Sequence, residues 1–213
     1  LKSKVTTAPS IEPVTLEEVK AHLRITATNE DGLLNTYIQA ARELAEDITG
    51  RKFITQTLTG YVDDFGGGGI HGNWWTGQRE GTYFSHILNG KGFIELDKTP
   101  ASSITQIDTV DRDNAETVYA STNYYLENYD NDMPARVHLN DNASIPSNIR
   151  DRNGIKVTYV AGYGSTRTSV PMKLRHAIKM MAAELYNKRG DCDDCAMSSG
   201  QLPILTSYKI ERV

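Results

Sequence analysis

Cys192 and Cys195 stand in the tetrapeptide CDDC, the spacing of half a structural zinc site. A complete site needs two further ligands. His138 and His176 are available, but at no spacing that a zinc finger uses. The pair therefore reads as two free thiols in a polar loop. The remaining histidines, His22, His71 and His86, fall in no HExxH arrangement, and the chain has neither a GxSxG elbow nor a Walker loop. GGGGIHGNW, starting at Gly66, is rich in glycine but lacks the GK[ST] ending and the following helix of a phosphate cradle. Paired carboxylates recur at Asp63–Asp64, Asp111 with Asp113, Asp130 with Asp132, and Asp191 to Asp194. Two carboxylates could act as acid and base in a hydrolase. Most of these lie at turns, where Asp is favoured for local backbone hydrogen bonds. No catalytic, cofactor-binding or metal-binding residue is assigned, and no cofactor is expected.

The net charge of −4 and pI of about 5.7 argue against tight binding of nucleic-acid phosphates. They leave room for a surface past which DNA slides without being gripped. No apolar run of about 18 residues exists, so no membrane span is expected. LKSKVTTAPSIEP has no apolar core of a secretory signal, which predicts a cytoplasmic protein or one assembled there.

The stretch Tyr61–Gly81 holds both tryptophans, Trp74 and Trp75, beside four consecutive glycines. Large aromatic side chains in a flexible stretch suit anchors that bury themselves in a partner. Ordering such a loop costs about 1–2 kcal/mol per residue of backbone entropy. Phe65, Trp74 and Trp75 are expected to form an interface loop.

The elements around these residues follow from period and punctuation. Thr15 and Glu18 fit a capping box that starts a first helix, with Leu16, Val19 and Leu23 on one stripe and an end near Ile25. A second helix is predicted from about Asp31 to Thr49. Leu34, Ile38, Ala41, Ala45 and Ile48 form one apolar row, and Leu33, Tyr37, Ala40 and Leu44 a second beside it. Gly50 is suited to close it. A face that wide predicts cover on two sides, with Leu34, Tyr37, Ile38 and Leu44 contributing to a subunit interface. From Phe53 to Tyr163 the helical period gives way to about six β-rich runs: FITQTLTGYV, GFIEL, SITQIDTV, TVYA, ARVHL and IKVTYV. Alternation of buried and wet positions in the last two predicts an antiparallel sheet. Helical spacing returns after Pro171, with Leu174, Ala177, Ile178, Met181 and Leu185 on one face. Lys173, Arg175, Lys179, Lys188 and Arg189 make this helix basic, and a face toward DNA, toward an acidic partner or simply toward solvent would suit it. The closing segment PILTSYKIERV is apolar and β-prone, suited to adding a strand to a partner's sheet.

Four stretches, EPVTLEEVKAHLRI, AARELAEDITGRKFITQTL, VTYVAGYG and VPMKLRHAIKMMAAELYNKRG, resemble the head–tail connector (adaptor, head-completion) family of long-tailed bacteriophages. They occur in the family's order and cover about a third of the chain. The resemblance implies a structural virion protein without enzymatic activity, placed in the neck between head and tail. It implies a homo-oligomeric ring, commonly a dodecamer, that receives the portal protein on one side and a stopper or tail-completion protein on the other. DNA would pass through the lumen without sequence-specific binding. It also implies that the C-terminal tail, here Leu202, Ile204, Leu205, Tyr208, Ile210 and Val213, reaches the portal. Alternatives are a stopper or other neck protein, and a small α+β enzyme.

The expected architecture is α+β: a discontinuous helical body, made of an N-terminal helix pair and a C-terminal helix, with an inserted antiparallel β domain and an extended C-terminal tail. The boundaries read as 1–52 for the arm and first helices, 53–165 for the β domain with its Gly/Trp-rich loop at 63–90, 166–190 for the last long helix, and 191–213 for linker and tail. Residues 1–13 read as an irregular arm.

Overall fold

A computed structural model describes residues 1–63, 65, 93–128, 133–189 and 202–210. The chain divides into two compact units. One comprises Leu1–Ala8 and Gln56–Ala161, the other Pro9–Thr55 and Gly162–Val213.

The second unit is helical and discontinuous in sequence. Helix α1 spans Leu16–Leu23, α2 Asp31–Thr49, α3 Met172–Asn187 and α4 Leu202–Thr206. The capping box predicted for α1 is present: the Thr15 hydroxyl accepts from the Glu18 amide, and the Glu18 carboxylate accepts from the Thr15 amide, both at 3.1 Å. Arg24 closes α1 in the left-handed conformation, and Gly50 closes α2 with φ of 71°. Leu34, Ile38, Ala41 and Ala45 of α2 pack with Leu174, Ala177, Ile178 and Met181 of α3 in one core, which Phe53, Ile54 and Leu205 complete. This is the 3.6-residue stripe of each helix buried against the other. Phe53 and Ile54 were expected to begin the β region; they are fully buried in the helical core instead.

The first unit holds a five-stranded sheet of order β1-β2-β8-β4-β5 and a three-stranded sheet of order β3-β7-β6. Strand β1 spans Lys2–Thr7, β2 Gln56–Val62, β3 Phe93–Glu95, β4 Ala101–Val110, β5 Glu116–Tyr119, β6 Tyr124–Glu127, β7 Arg136–Leu139 and β8 Ile155–Ala161. Every pairing is antiparallel. Ile155, Val157, Tyr159 and Ala161 point into the core from the central strand β8, and Val137 and Leu139 from β7. The alternation that predicted these two strands is the alternation of burial.

Two parts of the first unit differ from expectation. Residues 2–7 are not an irregular arm but an edge strand. Asp97, nearly buried, holds it down by accepting from the Ser3 amide at 2.9 Å and from the Ser3 hydroxyl, and also from the Tyr159 phenol at 2.8 Å. Burial and the neighbouring Asp97 charge push the Tyr159 phenol far above its usual range. Phe65 is no free loop anchor: it is buried in the β core with its ring 4.9 Å from that of Tyr119. Trp74, Trp75, Cys192, Cys195 and Val213 lie outside the described residues.

Candidate functional site

Among the described residues, no three His, Cys, Asp or Glu side chains converge as metal ligands would. A shallow hollow of about 530 Å³ beside α1 is lined by Leu16, Glu17, Lys20, Ala21 and Asp31 among others. Two of its charged groups are spent on each other, Lys20 donating to Asp31 at 2.7 Å. The hollow brings together no nucleophile and base. The features that stand out are surfaces.

Helix α2 carries the most distinct one. Of its two apolar rows, one is sealed: Leu34 and Ile38, expected at a subunit interface, are buried within their own unit. The other row lies on the surface. Leu33 is 39% and Leu44 42% exposed, Ala40 is exposed, and Tyr37 is half-buried between them. These positions, 33, 37, 40 and 44, share one face over three turns and extend about 16 Å at 1.5 Å per residue. The wide face predicted for α2 is thus half core and half surface.

The polar side of the same helix is fixed internally. Glu46 is fully buried and accepts from Arg42 at 3.3 Å, from Lys52 at 2.8 Å and from the Phe53 amide at 3.0 Å. Arg42 reaches Glu12 at 2.8 Å and Glu43 at 3.2 Å. Burial alone would lower the Arg42 pKa, but the bond to Glu12 and the surrounding carboxylates raise it. This network welds α2 to the segments before and after it and leaves the apolar row rigidly presented.

The basic residues expected on α3 behave differently from one another. Arg175 donates to Glu18 at 2.7 Å and to the Pro13 carbonyl at 3.1 Å. Lys188 pairs with Glu184 at 2.9 Å. Arg189 pairs with Glu30 at 2.6 Å and lies 4.4 Å over the Tyr186 ring. Lys173 is exposed and Lys179 half-buried, and neither forms an ion pair among the described residues. Arg175 and Arg189 therefore tie this helix to other segments of the helical unit, and Lys188 pairs one turn back along its own chain.

The C-terminal segment is not an extended strand. Residues Leu202–Thr206 form the short helix α4, and Leu205 is fully buried in the helical core. The buried Arg51 donates from Nε to the Tyr208 carbonyl at 2.6 Å, and the Ile210 amide donates to the Thr49 carbonyl at 3.1 Å. Ile204 and Tyr208 pack against the same core. Burial of one leucine and two backbone bonds outweighed a weak strand propensity. Sequence reasoning missed the docking because its partner, Arg51, is 157 residues away from Tyr208.

The small sheet exposes aromatic groups. The His138 ring stacks at 5.4 Å on Tyr125, which is half exposed, lies 5.6 Å from Phe93, and its Nε2 sits 2.7 Å from Glu127. Arg136 covers Phe93 at 4.4 Å. The alternation in ARVHL places Arg136 and His138 on the wet face, and the structure has both there, partly exposed.

Residues 13–68 match the family model described as phage gp6-like head-tail connector protein. That stretch contains α1, α2 and β2. No curated protein matches the chain. Over its full length the chain is similar in fold to chains of three solved assemblies, each at 20% identity and covering 100% of this chain and 97% of the other. One is the neck of an empty gene transfer agent particle computed with C6 symmetry, with a TM-score of 0.74. Another is the virion of a native gene transfer agent particle, at 0.73. The third is the neck of the native particle computed with C12 symmetry, at 0.71. The resemblance read from the sequence and the α+β class are borne out by these matches.

Proposed function

We propose that this chain is a non-enzymatic structural protein of the virion neck, a head-to-tail connector whose copies close into a ring between portal and tail and leave a lumen for DNA. The family match over residues 13–68 and the similarity in fold to neck proteins support the reading. The observation that carries it is the second apolar row of α2. Leu33, Tyr37, Ala40 and Leu44 lie inside the matched segment, on a helix whose other row already fills the core. An isolated subunit gains nothing from such a row; a subunit covered by a neighbour buries it. Contiguous exposed apolar surface of this kind marks an interaction site.

Closed rings need two different, complementary faces on each subunit. The α2 row supplies one contribution. Symmetry of order six or twelve in the similar necks accords with a ring, here of twelve copies. Lys173 and Lys179, which form no ion pair among the described residues, are the α3 cations that would face DNA or an acidic partner. Portal contact by the C-terminal segment falls to its exposed residues, such as Thr206, Ser207 and Lys209, because Leu205 is taken by the core.

The test is a double substitution, Leu33→Ser with Leu44→Ser. It should leave the subunit folded by circular dichroism and reduce self-association or incorporation into portal-bearing heads by an order of magnitude or more, on the scale of a lost interface anchor. Unchanged assembly of the variant would remove the reading's main support.

A further inference from the structure

The five-stranded sheet has one face in the core and one outside it. From β8, Ile155, Val157 and Tyr159 point inward, and Lys156 and Thr158 point outward. Cross-strand partners share a face, so the register carries the outer side across the sheet. One row runs Lys4, Thr59, Thr158 and Gln106 over β1, β2, β8 and β4. The next runs Lys2, Tyr61, Lys156 and Asp108 over the same strands and ends at Val118 of β5.

The middle of this face is made of hydroxyls. Thr6, at the slip in the β1 register, donates to Thr59 at 2.9 Å, and the Thr59 and Thr158 hydroxyls lie 3.3 Å apart. Two large apolar side chains on the strands of this sheet are exposed among the described residues, Tyr61 and Val118, both in the end row. The carboxylates of the face are already engaged: Lys156 lies 2.6 Å from Glu116 and 3.7 Å from Asp108. Lys2 and Lys4 are exposed and form no ion pair among the described residues. They stand about 7 Å apart along β1. A chain of net charge −4 thus presents a face whose uncompensated charge is positive.

We infer that this outer sheet face is the surface DNA passes, its hydroxyls and the Lys2–Lys4 pair touching phosphates and no base. The inference rests on the ring reading and names the wall of its lumen. Thr, Ser and Lys side chains donate to phosphate oxygens without reading sequence. A contact with another protein buries an apolar centre, and here the centre is polar. Lys173 of α3, by contrast, stands beside Met172, which is 68% exposed, surroundings that suit a protein partner. Two cations per subunit also give the weak hold that sliding requires. Affinity falls by about 0.9 log units per phosphate contact for each tenfold rise in salt, so two contacts lose about 60-fold.

The experiment measures binding of a DNA duplex of about 30 base pairs to the full chain at about 0.05 M salt, by fluorescence anisotropy, with light scattering on the same samples to follow the oligomer. The unmodified chain should bind weakly, alike for unrelated sequences, and release the duplex as salt rises to about 0.5 M. Lys2→Gln with Lys4→Gln should cut the affinity at least tenfold and flatten the salt dependence. Lys173→Gln with Lys179→Gln should leave both as they were. Should the first pair lose its fold by circular dichroism, Thr7→Lys decides: it adds a cation at an exposed position of the same face and should raise the affinity several-fold. No binding by the unmodified chain, equal binding by the Lys2 and Lys4 variant, an unchanged affinity in Thr7→Lys, or a loss confined to the Lys173 and Lys179 variant would overturn the inference while leaving the ring intact. Tighter binding of polyglutamate than of the duplex would overturn it in favour of an acidic protein. An unmodified chain that stays monomeric, even with portal-bearing heads, would overturn the ring reading itself.

Discussion

Glu18 divides its carboxylate between two tasks: Oε2 closes the cap of its own helix at Thr15, and Oε1 holds Arg175 of α3 at 2.7 Å. One side chain thus starts α1 and fixes its angle to a helix more than 150 residues later in sequence. Arg175 is read from the sequence as a cation facing a channel or a portal. In the structure it is mostly buried at this joint and spends a further N–H on the Pro13 carbonyl.

Glu18→Ala should therefore destabilise folding by about 1–2 kcal/mol, the scale of a charge-assisted bond plus a cap, reduced because the carboxylate is partly exposed. Urea denaturation of Glu18→Ala, Arg175→Ala and the double variant gives the coupling. A coupling near zero would mean that the two residues are merely adjacent.

The two rows of α2 should respond in opposite ways. Leu34→Ala opens a cavity in the core and should cost about 2–5 kcal/mol of folding stability. Leu44→Ser touches an exposed position and should change stability by less than about 0.5 kcal/mol while weakening self-association. Thermal melts and light scattering on the same samples separate the effects. A Leu44→Ser variant as unstable as Leu34→Ala would mean that both rows are core.

Glu46 is the centre of a buried network, and its removal leaves Arg42 and Lys52 without their shared partner. Glu46→Ala should cost about 3–5 kcal/mol, the range for breaking a buried pair from one side. A denaturation midpoint close to that of the unmodified chain would show that water or Glu12 replaces the lost carboxylate.

Elements with local punctuation were legible in the sequence. The Thr15–Glu18 box and Gly50 lie next to the helices they bound, and α2 has the predicted ends. Strands β7 and β8 were legible because burial alternates along them. Strand β1 was not: its one apolar residue, Val5, gives no pattern, and what holds it is Asp97, a contact 94 residues away from Ser3. Strand β6, YYLE, was missed because four residues are too short for a period to show, and among the described residues it pairs only with β7. The tail was misread because PILTS is too short for periodicity to separate strand from helix. On the candidate surface, the α2 row was legible as a pattern, but which row faces inward depends on where α3 packs.

The docked tail changes what truncation means. Deleting residues after Gly200 removes Leu205 from the core along with the bonds to Arg51 and Thr49. The truncated chain should lose about 2–5 kcal/mol of stability before any partner is involved, as a Leu205→Ala variant should. Lys209→Glu, on the exposed side, should leave the melting temperature unchanged and alter only binding to portal-bearing heads. A Leu205→Ala variant of native stability would show that the tail is a free arm after all.

The joint at Glu30 carries a pH dependence with a definite sign. The Tyr186 phenol donates to its carboxylate and Arg189 donates at 2.6 Å, and these bonds hold the Glu30 pKa below the usual glutamate range. Both bonds favour the charged form, so the unfolded chain takes up this proton at a higher pH than the folded one. The stabilisation is fully present above the unfolded value and is lost as pH falls through the lower folded value. The comparison is with Glu30→Gln, which cannot titrate. Their difference in stability should be largest near neutral pH, shrink across the acid carboxylate range and level off below the folded value, while Arg189→Ala and Tyr186→Phe each flatten the curve. The phenol should have the greater effect, being the stronger of the two influences on Glu30. A difference between the unmodified chain and Glu30→Gln that stays constant from neutral to acid pH would mean that the carboxylate gains nothing from either donor.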